Sequence, residues 1–290
     1  MKNKSWMGLA FLVLILFVSF GFFLFGLVLF IATTDRNFFD SGDIAVLNVE
    51  GKIIDSDPIV HQIRQLSKDE GIKAVVVRIN SPGGTIGGSQ EIYQEIKKLD
   101  EKKPVVASMG TVAASGGYYI ACGAQKILAN PGTITGSIGV LFEYVNVEDL
   151  VHWMKLQART FKSGRLKDLA SPLRPMTSEE QDYLQETLKA LHGQFKEVVA
   201  TERDIAPEKL EKFADGRFLT GEQALNYHLI DQLGTIEDAI DLAAKLAGIK
   251  GEPEVVYPKK ERLPWIDLLL DSATESLVRK LSVRFNVPSF

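Results

Sequence analysis

The most apolar stretch of the chain lies near its N-terminus. Residues 5–34 contain no charge, and residues 7–32 are almost wholly apolar. About 20 apolar residues span the hydrocarbon core of a bilayer, with extra length taken up by tilt. A cleaved signal peptide usually has an apolar region of only ~7–15 residues. The pattern therefore predicts an uncleaved transmembrane helix over residues 7–32.

Charges beside this stretch predict its orientation. Lys2 and Lys4 precede it, while Asp35 and Arg36 cancel each other just after it. The positive-inside rule then keeps the N-terminus in the cytoplasm and sends the remainder of the chain outside. We expect a single-pass protein of the cell membrane, in which residues 1–34 are the cytoplasmic start and the anchor.

Beyond a polar linker at residues 35–43, short Val/Ile-rich runs alternate with segments of helical spacing. The predicted strands are 44–49, 74–79, 105–109, 126–129 and 137–141. The predicted helices are 59–66, 88–99, a short one near 115, 178–204, 220–226 and 235–246. Near-continuous apolar strands alternating with helices are typical of a parallel sheet covered on both faces. Residues 44–256 are therefore predicted to form one α/β domain.

The tail, residues 257–290, has a different pattern. Its polar residues Asp267, Asp271, Glu275 and Arg279 recur every four residues, as one stripe of an amphipathic helix does. Three interpretations stay open: a helix packed on its own domain, a contact between subunits, or a helix lying on a membrane surface.

Composition removes several classes of function. A net charge of −4 gives no basic surface for nucleic acid. The single cysteine, Cys122, has no partner for a disulfide or for a thiolate zinc site, and its simplest interpretation is a small buried apolar residue. No cofactor and no metal are expected.

Three glycine-rich turns, at residues 80–84, 110–117 and 135–139, accompany the predicted strands. Loops at the carboxyl ends of parallel strands meet at one crevice, where ligands bind. Ser115 lies in the second turn, at a predicted helix start that favours developing negative charge. The N–H of Gly116, with that of Gly83 or Gly84, could form an oxyanion hole. The alternative is that each turn is simply a tight connection in a crowded core.

A serine nucleophile needs a base. The chain has four histidines, and none stands in a recognisable triad context: His61, His152, His192 and His228. His192 and His228 are assigned to predicted helices. Ser–Lys pairs are an established variant, provided that burial lowers the pKa of the lysine from ~10.4 toward ~7–8. Lys162 and Lys167, within residues 161–168, are the contenders, and their spacing does not choose between them.

The turns at 80–84, 113–119 and 135–139, with segments 161–168 and 216–221, together resemble the bacterial signal peptide peptidase A family in its short form. The resemblance covers roughly residues 44–247 and the N-terminal anchor. It implies a ClpP/crotonase-like α/β spiral of βα units. It also implies a Ser–Lys dyad that cleaves residual signal peptides after their release, and other short or unfolded peptides.

Carried onto this chain, the resemblance makes Ser115 the nucleophile and Lys167 the general base. Ser137 matches the serine that holds the lysine amine by a hydrogen bond. Gly84 and Gly116 match the oxyanion donors, and Gly83 shares the first of these turns. The short form further implies a homo-oligomeric ring or dome in which the serine and the lysine meet across a subunit boundary.

One residue departs from the family pattern, since His228 stands where the family usually has glycine. A residue with a side chain in a left-handed helix end carries strain, which puts the local turn in doubt. Two other functions stay open. One is a Ser–Lys protease for a specific membrane partner, and the other is a crotonase-type acyl-CoA enzyme, because glycine-turn oxyanion holes also stabilise CoA-ester enolates.

Overall fold

The computed structural model describes residues 14–26 and 41–258, which belong to two separate units. In the first unit residues 14–26 are helical (α1), and every one of them is exposed. Within these two described ranges no helix combines the length and the apolar character needed to cross a membrane. The predicted span at 7–32 lies partly outside the described residues, and the predicted tail at 257–290 lies almost wholly outside them.

The second unit is a mixed α/β domain. Its strands are β1 (Ile44–Glu50), β2 (Ala74–Ser81), β3 (Val105–Ala114), β4 (Lys126–Ala129), β5 (Ile134–Gly136), β6 (Phe218–Thr220), β7 (Gln232–Leu233) and β8 (Val255–Val256). Its helices are α2 (Asp57–Lys68), α3 (Ile86–Asp100), α4 (Gly116–Ala121), α5 (Glu148–Trp153), α6 (Ser178–Arg203), α7 (Pro207–Leu210), α8 (Gly221–Asn226) and α9 (Ile236–Leu246).

The strands form one sheet in the order β6-β5-β3-β2-β1-β8, with β4 pairing both β3 and β7. Every pairing is parallel except that between β5 and β6. The predicted parallel sheet is therefore confirmed. Because β3 pairs with β2, β4 and β5, its carboxyl end lies where the turns after several strands come together.

Helices cover the two faces of the central strands. On one face α9 packs Ala239 and Ala243 into a cluster with Ile44, Val76 and Val106. Side chains alternate between faces along a strand, so the intervening residues point the other way, and they too are fully buried. Helices α2 and α4 contact β1, β2 and β3. The continuous apolar runs in the sequence follow from this burial on both sides.

Two local predictions were wrong. The strand predicted at 137–141 is β5 at Ile134–Gly136 instead, because Ser137 has a left-handed φ of 50° that ends the extended chain. His228 was assigned to a predicted helix, but it lies outside α8, which ends at Asn226. His228 has a φ of 60°, so this position keeps the left-handed backbone without glycine.

Candidate active site

Ser115 occupies a strained turn between a strand and a helix. Strand β3 ends at Ala114 and α4 begins at Gly116, which leaves Ser115 with φ 52° and ψ −121°. A residue with a side chain rarely adopts this conformation, and strain of this kind persists only where neighbours enforce it. The Ser115 N–H donates to the carbonyl of Gly136 at 2.9 Å, and its own carbonyl accepts from Tyr119 N at 2.9 Å. Ser115 is thus held from both sides.

The Gly83–Gly84 turn packs directly against the Ser115 turn. A Cβ on Gly83, whose φ is 97°, would lie 2.6 Å from the Gly116 nitrogen and 3.0 Å from the Ser115 Cβ. A Cβ on Gly84 would lie 1.9 Å from the carbonyl oxygen of Ile53. Glycine is required at both positions because no side chain fits between these segments.

Two backbone N–H groups next to Ser115 are free to bind a ligand. Among the described residues, no hydrogen bond engages the N–H of Gly84 or of Gly116, whereas Gly83 N donates to Ser81 Oγ at 3.1 Å. Gly116 is the first residue of α4, where a helix leaves its N–H groups without internal partners. The two N–H groups could therefore bind a developing oxyanion.

A small cavity of about 20 Å³ opens beside Ser115, which is room for about one water molecule. Its walls come from the two glycine turns, from α3, α4 and α6, and from the segment after β5: Gly84, Ile86, Ser89, Ser115, Gly116, Tyr119, Gly139, Val140, Leu191 and Phe195. All four histidines lie within the described residues, and none of them lines this cavity. Within one chain, no histidine therefore lies against the cavity beside Ser115.

Ser137 comes close to Ser115 through the pairing of β3 with β5. Ala114 pairs with Gly136, and Ser137 follows directly with its N–H donated to Arg217 O at 2.8 Å. Ser137 is half-buried. The structure thus brings together the candidate nucleophile, both glycines of the first turn, Gly116 and Ser137.

Lys167 lies elsewhere. It is exposed, its backbone N–H donates to Gly164 O at 3.1 Å, and it is not among the residues that line the Ser115 cavity. The other contender, Lys162, has its amine committed to the Asp168 carboxylate and to the Arg165 carbonyl. Within one chain neither lysine is paired with Ser115.

Strong hydrogen bonds hold the carboxylates beside Lys167 in their charged form. The guanidinium of Arg174, and after it the ammonium of Lys162, lowers the pKa of Asp168 far below its ordinary value. Arg174 is also the main cause that lowers the pKa of Glu180 to about 2. By contrast, burial raises the pKa of the Cys122 thiol to about 12, so Cys122 is not a thiolate nucleophile.

Sequence reasoning missed six side chains of the cavity: Ile86, Ser89, Tyr119, Val140, Leu191 and Phe195. Leu191 and Phe195 are four residues apart on α6, so helical spacing could have placed them on one face. The ring of Phe195 packs on Tyr119 with centroids 4.8 Å apart. Nothing in the sequence indicates that this face of α6 covers the Ser115 turn rather than another part of the sheet.

Two family comparisons match the chain. The model of Peptidase family S49 matches residues 97–250, which hold both Ser115 and Lys167. The model of Clp protease matches residues 36–133, a range that includes β1 to β4 and the first two glycine turns. The described α/β domain with its parallel sheet is thus Clp protease-like.

Several relatives are similar over much of the chain. "Putative protease slr0021" of Synechocystis is 51% identical over 176 residues, covering 61% of this chain and 64% of the relative. "Putative signal peptide peptidase SppA" of Enterococcus faecium is 40% identical, covering 63% and 54%. "Protease 4" of Salmonella typhi is 35% identical, covering 81% and 39%. The chain therefore spans less than two thirds of the length of each of these relatives.

Proposed function

Because the chain belongs to peptidase family S49, we propose that it is a membrane-anchored serine endopeptidase with Ser115 as nucleophile and Lys167 as general base. Its substrates are residual signal peptides and other short or unfolded peptides. Neutral Lys167 takes the proton of Ser115 as its Oγ attacks the scissile carbonyl. The lysine then protonates the leaving amine, and water hydrolyses the acyl-enzyme.

The strained turn at Ser115 is the observation that carries this proposal. A serine forced to a positive φ between a strand and a helix, beside two unengaged backbone N–H groups, resembles the strained strand-to-helix turn that exposes the nucleophile of α/β-hydrolases. Strain of this kind persists at functional sites because it orients a reacting group. Gly84 and Gly116 then donate to the oxyanion, with Gly83 shaping the turn.

Helix α6 supports a lysine donated by a neighbouring subunit. Glu180, in its first turn, is tied through Arg174 to Asp168, next to Lys167. Leu191, farther along the same helix, lines the Ser115 cavity. Eleven residues of α-helix separate Glu180 from Leu191, a rise of about 17 Å. A lysine side chain is much shorter than that span. We therefore propose that Lys167 serves Ser115 of an adjacent copy, where Ser137 holds its amine.

Exposed apolar residues between β5 and α6 support the same assembly. Leu141, Trp153 and Phe161 are 82%, 80% and 94% exposed. Large exposed apolar side chains concentrated in one segment support a surface that another protein covers. Because this run and Lys167 belong to one connecting segment, burying it against a second copy would also carry Lys167 onto that copy.

Helix α1 supports the membrane anchor. All of its residues are exposed, and its side chains include Phe17 at 77% and Phe22 at 73%. A helix that is apolar on every side is stable when lipid or protein surrounds it, not water. We propose that residues 7–32 anchor the chain in the cell membrane, with the N-terminus cytoplasmic and residues 44–256 on the outer side.

The proposal is tested with detergent-solubilised full-length protein, synthetic signal peptides and a serine-directed acylating probe. We expect Ser115→Ala to lower peptide cleavage by at least ~10⁴-fold, with unchanged melting temperature and oligomer size. The probe should label the wild type and a Ser163→Ala control, because Ser163 is an exposed serine outside the cavity. Full cleavage by Ser115→Ala would refute the proposal.

A further inference from the structure

The segment that carries Lys167 has little apolar anchoring of its own. Residues 155–177 contain no helix or strand, and most of their backbone hydrogen bonds are short-range turns, such as Leu169 N to Leu166 O at 3.1 Å and Ser171 N to Asp168 O at 3.0 Å. One bond reaches farther along the chain, since the Pro172 carbonyl accepts from Val147 N at 2.7 Å. Turns of this kind leave the direction of a segment loosely defined. A side chain that must deliver an amine to a fixed point needs another restraint.

Arg174 supplies a restraint that runs from this segment into a helix. Its Nε donates to Asp168 Oδ2 at 2.9 Å, its Nη2 lies 2.9 Å from Asp168 Oδ1, and Nη2 also donates to the Asp168 carbonyl at 3.3 Å. On its other side the guanidinium binds both oxygens of Glu180, with Nη1 to Oε2 at 2.8 Å. One planar group therefore joins two carboxylates.

Glu180 is itself fixed. Its side chain is 3% exposed, and its Oε2 accepts from Thr177 N at 2.9 Å while its own N–H donates to Thr177 Oγ1 at 3.2 Å. This capping box defines the start of α6. The chain of contacts is therefore continuous: the helix start fixes Glu180, Glu180 fixes Arg174, and Arg174 fixes the residue that follows Lys167.

We propose that Arg174 is a positioning residue that sets the direction of Lys167 by clamping Asp168 to the first turn of α6. The inference rests on the proposed role of Lys167 as the base. Arg174 touches neither the nucleophile nor substrate in this account. It acts through Asp168, whose carbonyl and carboxylate it holds together, so the adjacent Lys167 emerges from a fixed backbone.

Arg174→Lys is the sharpest variant, because it keeps the positive charge and removes the planar fork. A lysine amine cannot bind both carboxylates in two-point geometry, so the direct electrostatic effect on Lys167 changes little while the clamp opens. We expect kcat to fall about 10²-fold, the cost of an ångström-scale misplacement, with KM unchanged.

Asp168→Ala is the second variant and protects the test against misfolding. It opens the clamp on the Lys167 side only and leaves Arg174 paired with the buried Glu180. Arg165→Met is the matched control, because Arg165 and Glu179 also join this segment to α6, but through a pair whose side chains are 76% and 50% exposed. An exposed pair of this kind contributes little, so the control should keep wild-type kcat.

Hydrogen exchange of residues 162–173 gives a readout that does not depend on catalysis. We expect faster exchange there in Arg174→Lys and Asp168→Ala, unchanged exchange in β3 and α4, and no change in Arg165→Met. Wild-type kcat and wild-type exchange in both clamp variants would overturn the positioning role. If Lys167→Ala retains cleavage, the proposed base is wrong instead, and the exchange data still report whether the clamp exists.

Discussion

The two halves of the candidate site are built by different forces. The Ser115 turn is fixed by steric packing: glycines admit no side chain, the turn is bonded to β5, and the surrounding core is buried. The Lys167 segment is exposed and is fixed mainly by charge, through Lys162, Asp168, Arg174 and Glu180. The proposed nucleophile therefore lies in a turn held inside each folded chain, whereas the proposed base lies on the surface of the chain.

This difference teaches where assembly acts. A site that one chain completes gains activity when that chain folds. In the proposed function, folding orders Ser115 and its two N–H groups, and the lysine reaches them only when copies meet. On that proposal an isolated subunit would be inactive.

The largest effect should come from removing the base. Lys167→Ala is expected to lower kcat/KM by about 10⁴-fold without unfolding the protein. Lys162→Ala is the matched control, and it should lose less than about tenfold because Arg174 still holds Asp168. Steady-state cleavage of a fluorogenic peptide measures both. Equal losses in the two variants would mean that the assignment of the base is wrong.

The packing of the Ser115 half can be broken with one methyl group. Gly84→Ala places a Cβ 1.9 Å from the Ile53 carbonyl oxygen, so we expect it to lower the free energy of unfolding by about 1–3 kcal/mol. Gly87→Ala is its control, because a Cβ there meets nothing within 4 Å and alanine favours the helix. Urea denaturation compares them. If Gly84→Ala left the free energy of unfolding unchanged, this turn would not be sterically locked.

Assembly should depend on the exposed apolar side chains of the segment that carries Lys167. Phe161→Asp places a charge on a side chain that is 94% exposed in one chain, so the fold should survive while association weakens about 30-fold, as at an aromatic hot spot. Phe218→Asp makes the same change at a phenylalanine that is 66% exposed outside this segment, and it should assemble normally. Analytical ultracentrifugation measures both. Unchanged assembly in Phe161→Asp would remove this surface from the interface.

Lowering the pH should loosen the Lys167 segment, which is held by charge, before it loosens the Ser115 turn, which is held by packing. The pKa of Glu180 is lowered to about 2 in the folded protein. The stability that its ionised carboxylate gives the fold is therefore fully present above the unfolded pKa of ~4.3, and it is lost as the pH falls from about 4 to about 2. Pepsin cleavage within residues 162–174 should therefore increase over that interval before cleavage near Ser115 does. If residues 162–174 and the chain near Ser115 became cleavable at the same pH, the two regions would not be held by different forces.

Sequence reasoning succeeded where one physical cause dominates. Valine and isoleucine runs predicted β1 to β4, and helical spacing predicted α6 and α9, because burial on both sides of a sheet leaves a strong local signal. The glycine turns predicted where Ser115 lies. The strand predicted at 137–141 was wrong because Ser137 has a left-handed backbone and donates its N–H to the Arg217 carbonyl, a tertiary contact that the local pattern does not show.

The local sequence pattern also could not predict that Arg174 joins Asp168 to Glu180. The Thr177-to-Glu180 spacing is a readable capping box, but nothing local indicates that Glu180 also accepts from Arg174. That contact depends on the path of an irregular segment. Membership of a family assigned a role to Lys167, whereas the geometry of its support required coordinates.

The most direct test of a site shared between copies is complementation between two inactive variants. Ser115→Ala and Lys167→Ala are each purified, dissociated, mixed in equal amounts and reassembled. If Lys167 of one copy serves Ser115 of the next, about a quarter of the sites regain both residues, and about a quarter of wild-type cleavage returns. A dyad completed within one chain predicts that the mixture stays inactive, and that result would contradict the account.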